Sequence, residues 1–490
     1  MGVSIADYLL ELKIGGVWTA VADSAVLRIG GSWKISGNAA NALAFGDDTD
    51  ATISGQLLYS LWSSLSYQQP IRYTTYNSGD TTARTFTGVI TKLHRTLDTC
   101  DLEAAGMKTL IAATKIYSPM VVRRPAATKT SASSVEDPTN PAYAGGLINY
   151  AMWQCGGRPA EQAGSYPAAT FYYSCDHALI APDYAWLAGE DTWAECLKLA
   201  QASGGQLYQD ASGVVRYRQV LGYAGATATD AIGNSDYASA EETTEPGVQH
   251  GTKFTCQYTP RRRLGTQTIA DDTTPRHIEP GESVTIVIEP QNPIVRLETA
   301  SGGTQLLPAA LVVACQDGTR INQGAGGYTH TLDVKAGRII ITVTNAGSLA
   351  CTVWRVTLRG DPVVAGESGS ISAGSGTIER QIEPSVYIQR QSDAGRLAEM
   401  YAMFYGTARP TVTVRGCAHT PSRAVGQTIL FSNAAWGISS VPYVILEIRH
   451  DDTGLTAEYA LAYVGDLPDM SQFYVVGQAY SSGDTKYLGW

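Results

Sequence analysis

Short apolar–polar alternations closed off by Gly, Asn and Asp recur along this chain, and that pattern commits most of it to β-structure. Leu9-Glu-Leu-Lys-Ile14 alternates and then meets Gly15-Gly16 before Val17-Trp18. Arg72-Tyr-Thr-Thr-Tyr76 and Phe86-Thr-Gly-Val-Ile90 flank Asn77-Ser-Gly-Asp80. Runs of period two separated by such turns signal β-hairpins. A chain of 490 residues is also too long for one core, and predicts roughly three to five domains. Only 16% of its residues are charged. A lone soluble protein usually carries more, so much of this surface is expected to lie under neighbouring subunits.

Two stretches carry a helical period instead. Asp191 is placed to cap a helix in which Trp193, Leu197 and Ala200 share a face, and Gly204-Gly205 would end it. Gln206–Asp210 and Val214–Arg218 then read as two strands joined through Ala211-Ser-Gly213. Further on, Asp393 is the expected cap for a helix presenting Leu397, Met400, Tyr401 and Phe404, stopping at Gly406 with Pro410 beyond. A weaker helical stretch is predicted over Ile53–Leu65 and a short helix over Gly145–Gly156, with a Pro- and Thr-rich linker at 120–145 between them.

The segment 277–360 reads as a small β-sandwich. Ile278–Ile288 is a turn followed by a strand, and Arg338–Thr344 turns at Asn345-Ala-Gly347 and returns as Cys351–Leu358. Strands are also expected at Ile378–Ile388, Thr411–Val414, Thr428–Phe431 and Tyr443–Arg449, the last pairing with Ala457–Tyr463 across Asp451-Asp-Thr-Gly454.

Charge and cysteine usage narrow the function. With 35 basic against 45 acidic residues the formal net charge is -10, which argues against general binding to nucleic acid or anionic membrane. No apolar run approaches the ~18 residues of a membrane span, and Met1–Gly16 lacks the regions of a signal peptide. The expectation is a soluble protein made in a reducing cytosol. Its eight cysteines (Cys100, Cys155, Cys175, Cys196, Cys256, Cys315, Cys351, Cys417) form no CxxC pair and read as free buried thiols.

Catalytic constellations are not evident. The motifs HExxH, GxSxG, GxGxxG after a strand and the P-loop do not occur. The histidines (His94, His177, His250, His277, His330, His419, His450) are dispersed and read as packing or surface residues. Cys175-Asp-His177 could be half a metal site but has no second ligand pair, and Asp47-Asp-Thr-Asp50 lacks the glycine and glutamate of a calcium loop. Arg261-Arg-Arg263 and Arg123-Arg124 read as solvated turns, with docking to an acidic partner as the alternative. Trp354 or Tyr328 on a sandwich face could stack on sugars, though the strand pattern places Trp354 in the core. No catalytic, cofactor-binding or metal-binding residue is therefore assigned.

Taken in order, the segments resemble a known family. Asp191 through Arg218 is similar to the helix-plus-hairpin element of tail hub and minor tail proteins of long-tailed bacteriophages. Ile382–Val414 resembles their later hub region, which leads to a motif at Val425-Gly-Gln-Thr-Ile429. In that family the glycine of this motif is commonly followed by an acid, and Gln427 takes its place here. The strand-rich region ending at Phe86–Ile90 is similar to the edge of the first tube-like barrel. The resemblance implies a mainly β, multidomain fold with α+β elements: two tail-tube-like β-barrel domains plus an inserted β-sandwich.

The corresponding divisions are 1–115 and 366–465 for the barrels, 116–270 for an α+β hub domain, 271–365 for the sandwich and 466–490 for a C-terminal tail. It further implies a homotrimer capping the tail tube at the tail tip or baseplate of the virion. Such a hub meets the tube or distal tail protein and the tape measure protein, carries a central fibre or receptor-binding proteins, and lets DNA pass its lumen during genome ejection without specific binding. The readings weighed against it are the hub of a contractile injection machine, a tail-associated glycan or peptidoglycan hydrolase, and a carbohydrate-binding module.

Overall fold

The computed structural model describes residues 6–34, 50–58, 65–77, 84–118, 122–123, 148, 173–175, 182–209, 215–219, 223, 226–244, 250–298, 310–315, 319–324, 326–450 and 456–467. The N-terminal region holds seven strands: β1 (Ala6–Ile14), β2 (Val17–Ala20), β3 (Val26–Lys34), β4 (Asp50–Leu58), β5 (Pro70–Asn77), β6 (Arg84–Arg95) and β7 (Thr99–Gly106). They lie in the order β3-β4-β7-β6-β5-β1-β2. Ile14 pairs with Val17 across Gly15 and Gly16, whose φ angles of 58° and 87° are the positive values a two-residue hairpin demands.

One helical expectation fails here. Ile53–Leu58 belongs to β4, paired with β3 on one side and β7 on the other. Ala51, Ile53 and Leu57 are buried at a period of two, and Gly55 lets the Arg28 carbonyl approach to 3.1 Å of where a Cβ would stand. Residues 59–64 of the expected helix lie outside the described residues. So do the linker at 120–145, apart from Val122 and Arg123, and the helix at 145–156, apart from Ile148.

The sheet does not stop at β3. Its end pairs antiparallel with the strand Ile438–His450, in the register Ser32↔Arg449, Trp33↔Ile448 and Lys34↔Glu447. From there the order continues through Thr456–Tyr463 and Thr411–Ala418 to Ser239–Thr243. Thr428–Asn433 pairs with the other part of Ile438–His450, and Asp230–Ile232 adds in parallel. The two β-rich regions, more than three hundred residues apart in sequence, thus meet in one sheet. The strands 230–232 and 239–243, which precede the sandwich in sequence, pair with the C-terminal strands.

Besides the short helix Met107–Ala112, two longer helices pack on this framework. Thr192–Ala202 begins where Asp191 accepts the Ala194 amide at 2.9 Å, the cap read from the sequence. Gln391–Tyr405 starts two residues before Asp393, which lies buried in its first turn rather than at the cap. Gly406, with φ -68°, is not in the left-handed conformation. The last carbonyls are met by Arg409, which donates to Met403 O and Phe404 O and pairs with Asp466. The helix covers the strands Lys253–Tyr258 and Gly369–Gly374 through Phe254, Tyr401 and Tyr405, with ring centroids 5.2–6.2 Å apart. Of the strand expected over 378–388, only Glu379–Gln381 is regular.

The antiparallel pair Lys253–Tyr258 and Gly369–Gly374 is also a stem. Beyond it the chain builds two further sheets around a separate core of Ile286, Ile341, Val343, Val353, Val356 and Leu358, among others. The long strand Cys351–Ala365 organises the first sheet, pairing with 261–263, 267–272 and 276–278 along one side and with 294–297 and 310–315 along the other. The second sheet is Ser283–Ile288, Ile339–Asn345 and Tyr328–Val334. The strands at 338–344 and 351–358 are therefore not a hairpin. They lie in opposite sheets, and Asn345 Nδ2 holds the crossover by donating to Ile278 O and Leu349 O at 3.1 and 2.8 Å.

Where stem meets sandwich, Asp361 is 2% exposed and accepts from Thr266, Arg296 and Arg263. Burial opposes its ionisation, but these hydrogen bonds outweigh burial and hold the carboxyl at about 2. Its contribution to stability is therefore full above the ordinary pKa of 3.8 and is lost as pH falls towards about 2. Asp361→Ala should lower unfolding free energy by about 2 kcal/mol at pH 7. In denaturant titrations the gap between the two proteins should narrow as pH falls from about 4 to about 2; an unchanged gap would show that the cluster is not ionic.

Candidate assembly surface

Three paired residues are a narrow join between two halves of a sheet, and the helix–hairpin unit braces it from behind. Its strands Gly205–Gln209 and Val215–Gln219 pair antiparallel as the sequence implies. Gln209 donates to the Thr87 carbonyl of β6 at 3.1 Å. Arg218 donates to the Gly426 carbonyl at 2.6 Å. One hairpin therefore grips the N-terminal and C-terminal halves together. Gly106 is required for the first grip, because a Cβ there would stand 2.2 Å from Gln209 Oε1. Gly426 is required for the second: its φ is 76°, and a Cβ would meet Tyr208 Oη at 2.5 Å.

The motif around Gly426 explains its own departure from the family pattern. Gln427 Oε1 accepts the Ala424 amide at 2.8 Å, closing the turn, while its Nε2 donates to Thr229. The turn needs an acceptor oxygen, which an amide supplies as well as a carboxylate does.

Along the seam and outward from it runs a ladder of alternating charge. Ser32 donates to Glu447 at 3.1 Å, and Arg449 forms a two-pronged pair with the same carboxylate at 2.8 and 3.0 Å. Arg449 also reaches Glu458 at 3.3 Å. Arg415 bridges Glu458 and Glu241, both at 3.1 Å. The series crosses five neighbouring strands and ends at Glu241 on Ser239–Thr243, the last strand of the sheet path. At the opposite end lies β2, an uncharged strand with Val17 67% exposed. Lys13 and Arg72 sit over its Trp18 ring at 5.8 and 4.7 Å. Strand ends of this kind favour pairing with another chain.

The sandwich is fastened to the body at a second place besides its stem. Ala336 donates to the Ser118 carbonyl, and Ser118 to the Leu187 carbonyl. Trp186 and Tyr184 pack with Ala336 and Val363, Arg261 lies over the Trp186 ring at 5.3 Å, and Arg338 over Tyr117 at 5.3 Å. Arg261–Arg263 is thus a strand with internal partners and not a solvated turn, since Arg263 joins Asp361.

Other residues singled out from the sequence are placed as follows. Tyr328 is in the sandwich core, but Trp354, expected there, is 47% exposed. Val312 pairs with Arg355 and Val313 with Val353, so Trp354 is the extra residue of a β-bulge and turns outward. His419 and His450, dispersed in sequence, meet edge-on with ring centroids 4.3 Å apart in the interior. Cys100, Cys196, Cys256, Cys351 and Cys417 are buried thiols and Cys315 is a half-buried one; burial pushes the Cys256 thiol up to about 12. The side chains of Cys155, Cys175, His177, Arg123 and Arg124 lie outside the described residues, as do Asp47 and Asp48. Among the described residues no three His, Cys, Asp or Glu are grouped to hold a metal ion, and no helix is long and apolar enough to cross a membrane.

No family model matches the chain, and no curated protein matches it in sequence. Its fold is similar to that of a 43 kDa prophage tail protein from Shewanella oneidensis, at 10% identity over 94% of this chain and 98% of that one, with a TM-score of 0.44. A tail protein from Neisseria meningitidis gives 8% identity over 94% and 98%, with a TM-score of 0.47. A prophage tail protein from Listeria monocytogenes gives 9% identity over 93% and 94%, with a TM-score of 0.42.

One titratable group under the surface was not read from the sequence. Glu195, on the helix Thr192–Ala202, is 5% exposed, and its Oε1 accepts the Ala188 amide at 3.0 Å while Oε2 has no hydrogen-bond partner among the described residues. Burial raises its pKa to about 7, with Glu190 adding to the rise. The folded state then keeps a proton that the unfolded chain releases near 4.5, so stability is full below about 4.5 and falls as pH rises from there to about 7. Glu195→Gln, which removes the charge and keeps the shape, should match the parent near pH 4 and exceed it by up to about 3 kcal/mol at pH 8. Equal denaturation midpoints at both pH values would contradict this assignment.

Proposed function

We propose that this chain is a structural, non-enzymatic component of a bacteriophage tail, a hub that assembles as a homotrimeric ring at the tail tip. The observation that carries the reading is the single sheet built from two β-rich regions and held by a seam. Three copies would contribute six such regions to a ring, the number a six-fold tail tube presents, and each copy has a strand end at either side to offer its neighbours. The order of segments resembling tail hub proteins supports the same reading.

In this arrangement the hub caps the tail tube or its distal tail protein, meets the tape measure protein and anchors fibre or receptor-binding proteins. The charge ladder suits a face that DNA must pass. Its three carboxylates outnumber its two guanidiniums, and every guanidinium is engaged, so phosphate finds no free cation there. Light scattering coupled to size exclusion should give three times the 52.2 kDa chain mass. A stable monomer that stays monomeric with tail-tube protein added would overturn the trimer.

A sugar-contacting role for the sandwich is a second reading, favoured by the outward Trp354. Titration with host-surface polysaccharide should then shift tryptophan emission in the parent and not in Trp354→Ala. An identical response from both proteins would remove the ring from consideration.

A further inference from the structure

Cys315 and Cys351 stand directly opposite one another on the antiparallel strands Ala310–Cys315 and Cys351–Ala365 of the sandwich. The Cys315 amide donates to the Thr319 carbonyl at 2.9 Å, away from the Cys351 strand. In an antiparallel strand the amide and carbonyl of one residue point to the same side, so this is a non-hydrogen-bonded pair. Such pairs bring their α-carbons to about 4.5 Å, within the roughly 4.4–6.8 Å that a disulfide spans. Side chains directly opposite share a face of the sheet. Both thiols are free. Among the described residues no other cysteine faces a cysteine across a strand pair: Cys100 lies opposite Leu57 and Arg95, Cys256 opposite Ile371 and Cys417 opposite Ala457.

We propose that Cys315 and Cys351 form a paired redox site, a dithiol in the reducing cytosol and a cross-strand disulfide in oxidising surroundings. The half-buried Cys315 is the accessible member, while Cys351 is in the core. The Cys315 thiolate attacks one sulfur of a small-molecule disulfide such as oxidised glutathione and displaces the first glutathione thiolate. Cys351 then loses its proton and attacks the Cys315 sulfur of the mixed disulfide, displacing the second. The two cysteines give up two electrons and two protons, and the oxidant leaves as two thiols.

The bond would close the chain between the two positions into a loop. That loop holds Tyr328–Val334 and Ile339–Asn345, two strands of the opposite sheet, so oxidation would restrict the chain that carries them in the unfolded state. The pairing rests on strand geometry. Only the moment of oxidation, release of particles from the cytosol, depends on the tail-protein reading.

The full chain is equilibrated in reduced or oxidised glutathione, alkylated and digested without reductant. The oxidised sample should yield a linked peptide pair carrying 315 and 351, about 2 Da below the sum of its thiol forms, and a melting temperature raised by about 5 °C that dithiothreitol reverses. Cys315→Ser, at the less buried position, should lose both the linked pair and the redox-dependent melting shift. Alkylation of both cysteines after oxidation, or a shift that persists in Cys315→Ser, would overturn the proposal. The peptide readout is independent of oligomeric state, so a failed trimer and a failed disulfide are told apart.

Discussion

Three residue pairs, Ser32↔Arg449, Trp33↔Ile448 and Lys34↔Glu447, make one sheet out of two ends of a long chain. A join of this length contributes few backbone hydrogen bonds, each worth about 1 kcal/mol net, while closing a loop of hundreds of residues costs entropy. It persists because other groups over-determine it. Glu447 lies under the seam, held by Ser32 from one half and Arg449 from the other. The hairpin behind adds Gln209 on β6 and Arg218 on Gly426. The buried core beneath draws on both halves, from Leu10 and Phe86 to Tyr443 and Leu461, with Trp193 and Leu199 of the helix between them.

The sandwich follows a different logic. It has its own core and is reached through one two-stranded stem, so its position depends on the polar and cationic contacts at its base. Asp361, with Arg263 and Arg296, ties three strands of the first sheet together next to the stem. Ala336, Ser118 and the Arg261–Trp186 contact fasten its flank to the body. A module held this way can vary its outer face without disturbing the seam. Trp354, presented by a bulge on that outer face, is an instance.

Much of this was legible in the sequence where a local rule governs. Gly15-Gly16 demanded a tight hairpin, Asp191 a cap, and the alternation in Tyr443–Arg449 and Ala457–Tyr463 a strand pair; each is present. The failures share a cause, which is that tertiary pairing overrode local pattern. Ile53–Leu58 is apolar enough for either period, and its two strand neighbours decide for β. Asn345 looks like a hairpin turn but carries the chain between sheets. A bulge shifts the phase at Trp354, and no period-two count can place that extra residue. The seam itself leaves no local mark: Ser32, Glu447 and Arg449 become neighbours only through the fold.

The central claim is that two β-rich regions joined at the seam form one third of a ring. Electron cryomicroscopy of the purified assembly tests it most directly. The account predicts a three-fold particle with six β-regions around its axis and the sandwiches as separate lobes. A particle without three-fold symmetry, or one in which the two regions of a chain are parted at Ser32–Lys34 and Glu447–Arg449, would contradict it.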